Sequence, residues 1–186
     1  MSGQTLPTRI WKWGAVIVLL LGLVITALVI LYPIAYRQTI LDWCNVYELD
    51  EYLVLSVIRT ESHFRPQALS PVGAIGLMQI MPTTGQWIAE KNGIEGFAVD
   101  DLYKPETNIH LGSWYLRYLI DRFTDVDAAL AAYNAGPGTV DGWIEHGSQL
   151  FPETASYIRR VRRTENIYQE LYGLPILGPL LLAMQS

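Results

Sequence analysis

One carboxylate occupies an unusual position, because Glu61 ends the otherwise apolar helical face of the segment EYLVLSVIRTE. At about 100° per residue, a helix here puts Glu61 on the same side as Val57 and Ile58. A carboxylate on the core side loses water and faces the unfavourable end of the helix dipole, and both effects raise its pKa. A glutamic acid that keeps its proton near neutral pH suits general acid catalysis. The competing interpretation is a structural acid, neutralised by an arginine or capped by backbone amides.

The residues that follow Glu61 suggest what such an acid would act on. They include Ser62, Ser70, Gly73, Gly76, Gln79 and Thr83. Glycines let a backbone approach a ligand closely, and Ser and Gln form hydrogen bonds without charge. This chemistry suits a neutral substrate rich in hydroxyl and amide groups, such as a sugar.

A second carboxylate is not evident near Glu61. Glycosidases usually pair two, about 5–5.5 Å apart for retention or about 6.5–9.5 Å for inversion. Glu51 lies ten residues earlier, hence about 15 Å away along a helix. A remote acid can still fold into the site. Otherwise something else must stabilise the developing charge, and the substrate's own acetamido group can do so, as in substrate-assisted enzymes.

Other kinds of functional site find little support in the sequence. His63, His110 and His146 show no metal-ligand spacing with Cys44 or the acids, so we expect no metal and surface or packing positions for them. Serine-triad, phosphate-loop and dinucleotide patterns are lacking, so we expect no cofactor. Beyond residue 41 the chain has 10 basic and 18 acidic residues, which argues against a nucleic-acid partner.

Helical patterns dominate the part of the chain that must position Glu61. We expect helices over residues 38–62, 81–93, 104–123, 125–136 and 152–173, with prolines near their starts and glycines at their ends. Strand signals are weak, so any sheet must be small. We expect the aromatic residues of this region to be mainly core, although sugar clefts also use aromatic faces; they are Trp87, Trp114, Tyr115, Tyr118 and Trp143.

An uncharged apolar segment over residues 14–32 precedes these helices. As a helix it would rise about 28 Å at ~1.5 Å per residue, close to the ~30 Å hydrocarbon thickness of a bilayer. We expect an uncleaved transmembrane anchor; the competing interpretation is a signal peptide, and only a weak cleavage site follows. Arg9 and Lys12 before the segment predict residues 1–13 in the cytoplasm and the folded part outside. The apolar tail over 174–186 is too short to span, and packing on the domain, contact with the membrane surface and disorder all stay open.

Three ordered motifs resemble the signatures of the soluble lytic transglycosylase (SLT) domain family. The segment ESHFRPQALSPVGAIGLMQIMP begins with Glu61 and Ser62 and continues with the family pattern Ala-x-Ser-x-x-Gly-Ala-x-Gly-Leu-Met-Gln. The segments LAAYNAGPG and ETASYIRRV resemble the second and third signatures, in the family's order and spacing. The similarity extends over about residues 48–170.

The resemblance implies a mostly helical, lysozyme-like α+β fold over residues 38–173, with two lobes and a substrate cleft. It also implies cleavage of the MurNAc–GlcNAc bond of peptidoglycan without water. Glu61 would first protonate the glycosidic oxygen and then accept a proton from the muramic C6 hydroxyl, which closes a 1,6-anhydro ring. The implied substrate-binding residues are Ser70, Met78, Gln79, Tyr133, Asn134 and Tyr157. Ser70 would bond near Glu61 or to the acetamido group, and Tyr157 would orient the carboxylate or bind the sugar.

The implied partners are peptidoglycan glycan strands and, through residues 14–32, a bacterial inner membrane crossed once. An envelope-spanning assembly is a further candidate partner. Two alternatives to the lytic enzyme stay open: a hydrolytic muramidase, and a peptidoglycan-binding anchor without catalysis.

Overall fold

Helices supply the regular structure of this protein, for which a computed structural model describes residues 6–175 and 177–183. In chain order they are α1 (Leu6–Leu31), α2 (Arg37–Tyr47), α3 (Glu51–Ser62), α4 (Pro82–Lys91), a 3-10 helix (Val99–Tyr103), α5 (Pro105–Phe123), α6 (Val126–Ala135), α7 (Pro137–His146), α8 (Pro152–Tyr172) and α9 (Leu177–Ala183). Over the described ranges there is no strand; Ile75 forms isolated bridges with Leu69 and Ile80. The expected mostly helical fold is confirmed, and its β component is limited to these bridges.

The helix predicted over residues 38–62 is in fact two helices. Glu48 ends α2 with a left-handed backbone, φ 51°, and its N–H bonds to the carbonyl of Cys44. Asp50 then starts α3, because its side chain accepts hydrogen bonds from the N–H groups of Tyr52 and Leu53. The break lets α3 take its own direction toward α8, against which it packs.

The other four predicted helices exist within a residue or two of their expected ends. Helix α7 was not predicted, because a proline directly after a helix, here Pro137 after α6, is typical of a chain that leaves the helix. Its ring instead occupies the first turn of α7, where a fixed φ is favourable and no N–H is required. The apolar tail forms α9 over its described part, and Leu181 is buried against the domain.

Helix α3 forms the centre of the core. Its residues Leu53, Val54, Leu55, Val57 and Ile58 are buried, the last four completely. Besides the contact of α3 with α8, α5 packs against both α2 and α6. Helix α3, whose C-terminal turn carries Glu61, thus packs against α2, which precedes it, and against α8, near the other end of the domain.

Helix α1 includes a stretch, Trp11–Leu31, with mean hydropathy 3.1 and with no residue of its apolar window buried in the protein. By length and composition it suits a membrane crossing, and it overlaps the segment predicted at 14–32. Just after the end of α1, the carbonyl of Pro33 accepts a hydrogen bond of 2.8 Å from the hydroxyl of Tyr168. The guanidinium of Arg59 lies 4.5 Å above the ring of Tyr32. The end of α1 is thus fixed to α3 and α8.

Candidate active site

Glu61 lies in the last turn of α3, and its carboxylate is largely shielded from water. The hydroxyl of Tyr157, on α8, donates a hydrogen bond of 2.7 Å to Oε1 of Glu61. Burial raises the pKa of Glu61 to about 7 and outweighs the bond from Tyr157 and the charge of Arg160, which both lower it. At neutral pH the residue is therefore divided between its acid and its carboxylate form.

The electrostatic surroundings of Glu61 differ from those of an acid held in an ion pair. Among the ion pairs of the described residues, none includes Glu61. The groups acting on its pKa are Tyr157 and Arg160, with no second aspartate or glutamate among them. The arrangement is therefore suited to one carboxylic acid that gives up a proton and later takes one back.

Tyr133, on α6, belongs to the same cluster. Its hydroxyl donates to the carbonyl of Met78 at 2.8 Å. Burial holds its pKa well above the usual value, with further contributions from Glu61 and Tyr115. The pKa of Tyr157 is also held well above its usual value, by burial first and then by Glu61. Both phenols consequently stay protonated and serve as neutral hydrogen-bond donors beside the carboxylate.

Asn108, on α5, fixes the loop that follows Glu61. Its Oδ1 accepts a hydrogen bond from the N–H of Met78 at 2.7 Å. Its Nδ2 donates to the carbonyls of Ile75 and Leu102 at 2.9 and 2.8 Å. The three partners leave only one orientation for the amide, because an N–H must meet oxygen and two carbonyls must meet nitrogen. One buried side chain thus sets the path of residues 75–78.

Two further residues bring this loop close to α3. The hydroxyl of Ser62, which is completely buried, donates to the carbonyl of Leu77 at 2.8 Å. Gly76 has φ 81°, and a β-carbon there would lie 2.8 Å from Cγ of Asn108. Only glycine fits both the backbone conformation and the space. The close approach of Asn108 therefore explains why position 76 of the first motif is a glycine.

Ser70, Gln79 and Met78, predicted to bind substrate, make mainly internal contacts. The hydroxyl of Ser70 accepts a hydrogen bond from the N–H of Ala74 at 2.9 Å and so closes its own turn. The side-chain amide of Gln79 donates to the carbonyl of Gly76 at 2.8 Å. Met78 is completely buried, packed against Gly112 of α5. In this structure the three residues stabilise the loop, and their assignment to sugar binding stays a prediction.

The remaining predicted residues differ in their surroundings. Tyr133 and Tyr157 come together with Glu61, as described above, whereas Asn134 is exposed near the end of α6. Sequence reasoning missed Asn108 and Arg160. For Asn108 a signal existed: it shares the buried face of α5 with Leu111 and is thus a polar residue in an apolar pattern. That is the same signal that identified Glu61.

The three histidines and the cysteine differ in their surroundings. His110 is half-buried, and its ring stacks 3.6 Å from that of Trp43, while His63 and His146 are exposed. Burial, with smaller contributions from Glu51 and Asp50, raises the pKa of the Cys44 thiol to about 12, which makes it a poor nucleophile. Within the described part of the chain, no group of three His, Cys, Asp or Glu residues is arranged to hold a metal ion.

Comparison with known proteins identifies similar sequences. Residues 38–155 match the model of the family described as "Transglycosylase SLT domain". The soluble lytic murein transglycosylase of Escherichia coli K12 is 34% identical over 155 residues, which are 76% of this chain and 24% of that protein. The membrane-bound lytic murein transglycosylase C of Histophilus somni 2336 is 38% identical over 125 residues, covering 58% of this chain and 34% of that protein.

Solved structures give the same result. An inactive glutamate-to-glutamine mutant of the lytic transglycosylase Slt of Pseudomonas aeruginosa superposes with a TM-score of 0.71 and 33% identity, over 79% of this chain and 26% of that one. A 70-kDa soluble lytic transglycosylase in complex with bulgecin A superposes with a TM-score of 0.71 and 33% identity, over 78% of this chain and 26% of that one. The chain thus spans about a quarter of the length of these soluble relatives.

Proposed function

This chain belongs to the transglycosylase SLT domain family, and on that basis we propose that it cleaves the MurNAc-(β1,4)-GlcNAc bond of peptidoglycan without water, leaving 1,6-anhydro-MurNAc ends. The observation that carries the proposal is the partly buried Glu61, with a pKa of about 7 and a hydrogen bond from Tyr157. An acid with this pKa is available in both of its forms at neutral pH, as a reaction with an acid step and a base step requires.

In the first step Glu61 acts as the general acid. Its proton passes to the glycosidic oxygen, the bond from that oxygen to C1 of the muramic residue breaks, and the GlcNAc side leaves with a new hydroxyl. Because Tyr157 already donates to Oε1, we assign the mobile proton to Oε2. The acetamido oxygen of the substrate stabilises the positive charge at C1, consistent with a site where no second acid acts on Glu61.

In the second step the same residue acts as the base. The carboxylate accepts the proton of the C6 hydroxyl while the C6 oxygen bonds to C1 and closes the 1,6-anhydro ring. Glu61 ends as it began, protonated, and no water is consumed. The relative from P. aeruginosa that is inactive with glutamine in place of one glutamate is in line with dependence on a single carboxylate.

Mass spectrometry of peptidoglycan digested by the purified protein tests the proposal. Anhydro ends support it, reducing ends indicate a hydrolytic muramidase, and intact strands indicate a binding protein without catalysis. The Glu61→Gln variant should release no fragments, since an amide cannot exchange the proton. Glu95→Gln, the same change at an exposed site, should leave the products unaltered.

We also propose that α1 anchors the domain in a bacterial inner membrane, crossed once, with the domain outside the cytoplasm. The supporting features are the apolar stretch Trp11–Leu31 and two basic residues, Arg9 and Lys12, near its start. Membrane-bound relatives occur in Histophilus somni and Buchnera aphidicola. Resistance to alkaline extraction tests the anchor, and protease added outside spheroplasts tests the orientation. Release by alkali or protection from the protease would contradict the respective proposal.

A further inference from the structure

The end of α8 packs beside the end of α1, far along the chain from it. The hydroxyl of Tyr168 donates to the carbonyl of Pro33 at 2.8 Å, and the hydroxyl of Tyr172 donates to the carbonyl of Tyr32 at 2.6 Å. Later residues of α8 thus meet earlier residues of the α1 segment. The two helices therefore run in opposite directions, and α8 points back along α1.

The contacts with α1 continue beyond Tyr172. A small pocket of about 80 Å³ is lined only by aliphatic residues of α1, the end of α8 and α9, namely Ile25, Leu28, Leu171, Leu174 and Leu181. Ile25, Leu28 and Val29 are the half-buried residues in the last third of α1. Their i, i+3, i+4 spacing puts them on one face of the helix. That face is therefore covered by the C-terminal part of the chain.

These contacts fix the depth of the C-terminal part relative to the proposed membrane span. Ile25 precedes Leu31, the end of α1, by six residues, or about 9 Å at ~1.5 Å per residue. Ile25 and Leu28 then lie in the hydrocarbon of the outer leaflet, and the side chains that cover them lie at the same depth. Glu170 is the last charged side chain of the sequence and comes just before Tyr172, so the charges of α8 stop where α1 ends.

The backbone of this part of the chain also suits a place away from water. Pro175 and Pro179 have no N–H, and the N–H of Gly178 bonds the carbonyl of Leu174 at 2.9 Å. Backbone groups without a partner are costly in hydrocarbon, and these features reduce their number. The side chain of Leu174 is 44% exposed on the protein, so it still has apolar surface for lipid to cover.

We propose that residues 171–175 and 177–183, here called the C-terminal wedge, insert into the outer leaflet beside α1 and bind lipid acyl chains. The inference rests on the proposed membrane anchor, because α1 defines the depth. Insertion by about 5–10 Å past the headgroups is typical of segments that lie in a membrane interface. The domain is then held against the membrane by two segments of the chain instead of one.

Fluorescence quenching by nitroxide-labelled lipids tests the depth. The full-length Leu174→Cys variant is labelled with bimane and reconstituted into vesicles of phosphatidylethanolamine and phosphatidylglycerol. Burial raises the pKa of the native Cys44 thiol to about 12, so labelling is confined to the new cysteine. We expect acyl-chain nitroxides to remove about half of the emission and headgroup nitroxides clearly less, because the wedge lies about 5–10 Å below the headgroups.

A matched control comes from a leucine at the other end of α8. Leu150 is 40% exposed, close to the value for Leu174, and precedes Pro152, where α8 begins. The 21 residues of α8 separate the two positions by about 30 Å. A bimane label on Leu150→Cys should keep its emission with both kinds of nitroxide lipid. Equal melting temperatures of labelled and wild-type protein verify that the fold is retained.

A third label separates this inference from the proposed anchor. Leu21 lies in the middle of α1 and is 57% exposed, so Leu21→Cys reports whether α1 enters the bilayer. Quenching at position 21, with a label at position 174 that is quenched by neither lipid or more by the headgroup nitroxide, would refute the wedge and leave the anchor intact. No quenching at position 21 would overturn both proposals.

Discussion

The side chain of Asn108 fills the space that a β-carbon at Gly76 would require. That carbon would come within 2.8 Å of Cγ of Asn108, and the amide uses the freed space to bond three main-chain groups around it. Gly76 of the first motif and Asn108 of α5 are 32 positions apart in the sequence, and together they form one structural unit. The unit holds the loop against the end of α3, where Glu61 lies.

Replacing Asn108 with aspartate should disrupt this unit. Two carbonyl groups, those of Ile75 and Leu102, would face a buried carboxylate instead of N–H donors. We expect a loss of about 2–5 kcal/mol in the free energy of unfolding, measured by urea denaturation. Asn92→Asp is the matched control, because Asn92 is exposed and makes one side-chain bond, to the carbonyl of Ile88; it should cost under about 1 kcal/mol. Similar losses in the two variants would contradict the role assigned to Asn108.

Gly112 is a second position where space dictates the residue. A β-carbon there would lie 2.8 Å from Cβ of Met78, whose N–H and carbonyl bond Asn108 and Tyr133. Gly112→Ala should therefore destabilise the fold by about 1–3 kcal/mol, although alanine favours helix. Gly142→Ala, in α7, meets no atom within 4 Å and should be neutral or stabilising by up to about 1 kcal/mol. In thermal melts, the melting temperatures of the two variants should shift from the wild-type value in opposite directions or, at least, by clearly different amounts.

Much of the fold was accessible from sequence because local signals and packing agree. The 3.6-residue patterns and the prolines at helix starts located α4, α5, α6 and α8. The family resemblance, read from three motifs, is confirmed by the match over residues 38–155. The break between α2 and α3 was missed, because Glu48 in a left-handed conformation has no reliable sequence signal.

The geometry of the candidate site could be predicted from the sequence only in part. The apolar pattern around Glu61 predicted its partial burial and the raised pKa, since both follow from one helix face. The bond from Tyr157 joins residues 96 positions apart, and only the family resemblance suggested it. Arg160 was not predicted at all, because its effect on Glu61 depends on how α8 packs against α3. The internal bonding of Ser70 and Gln79 likewise depends on loop geometry that the pattern of residues does not encode.

The raised pKa of Glu61 implies a cost in stability that grows with pH. The fold favours the protonated form, so its contribution is fully present below the unfolded pKa of 4.5 and is lost as pH rises through about 7. Glu61→Gln carries no charge at any pH and keeps an acceptor for Tyr157. We expect it to match wild type near pH 4 and to exceed it by up to about 3 kcal/mol near pH 8. Glu95→Gln should show no such divergence in parallel urea titrations, and a constant difference across pH for Glu61→Gln would exclude this explanation.

Arg160 should shift the pH at which the proposed activity falls on the alkaline side. Its charge lowers the pKa of Glu61, so Arg160→Gln should raise that pKa and keep the acid protonated to higher pH. Because the first step needs the protonated form, the alkaline limb of kcat/KM should move upward from about pH 7. Arg159→Gln removes an equal charge from an adjacent exposed position of α8 whose charge does not act on Glu61, and should leave the limb in place. A downward shift in Arg160→Gln, or equal shifts in both variants, would show that the limb reports another group.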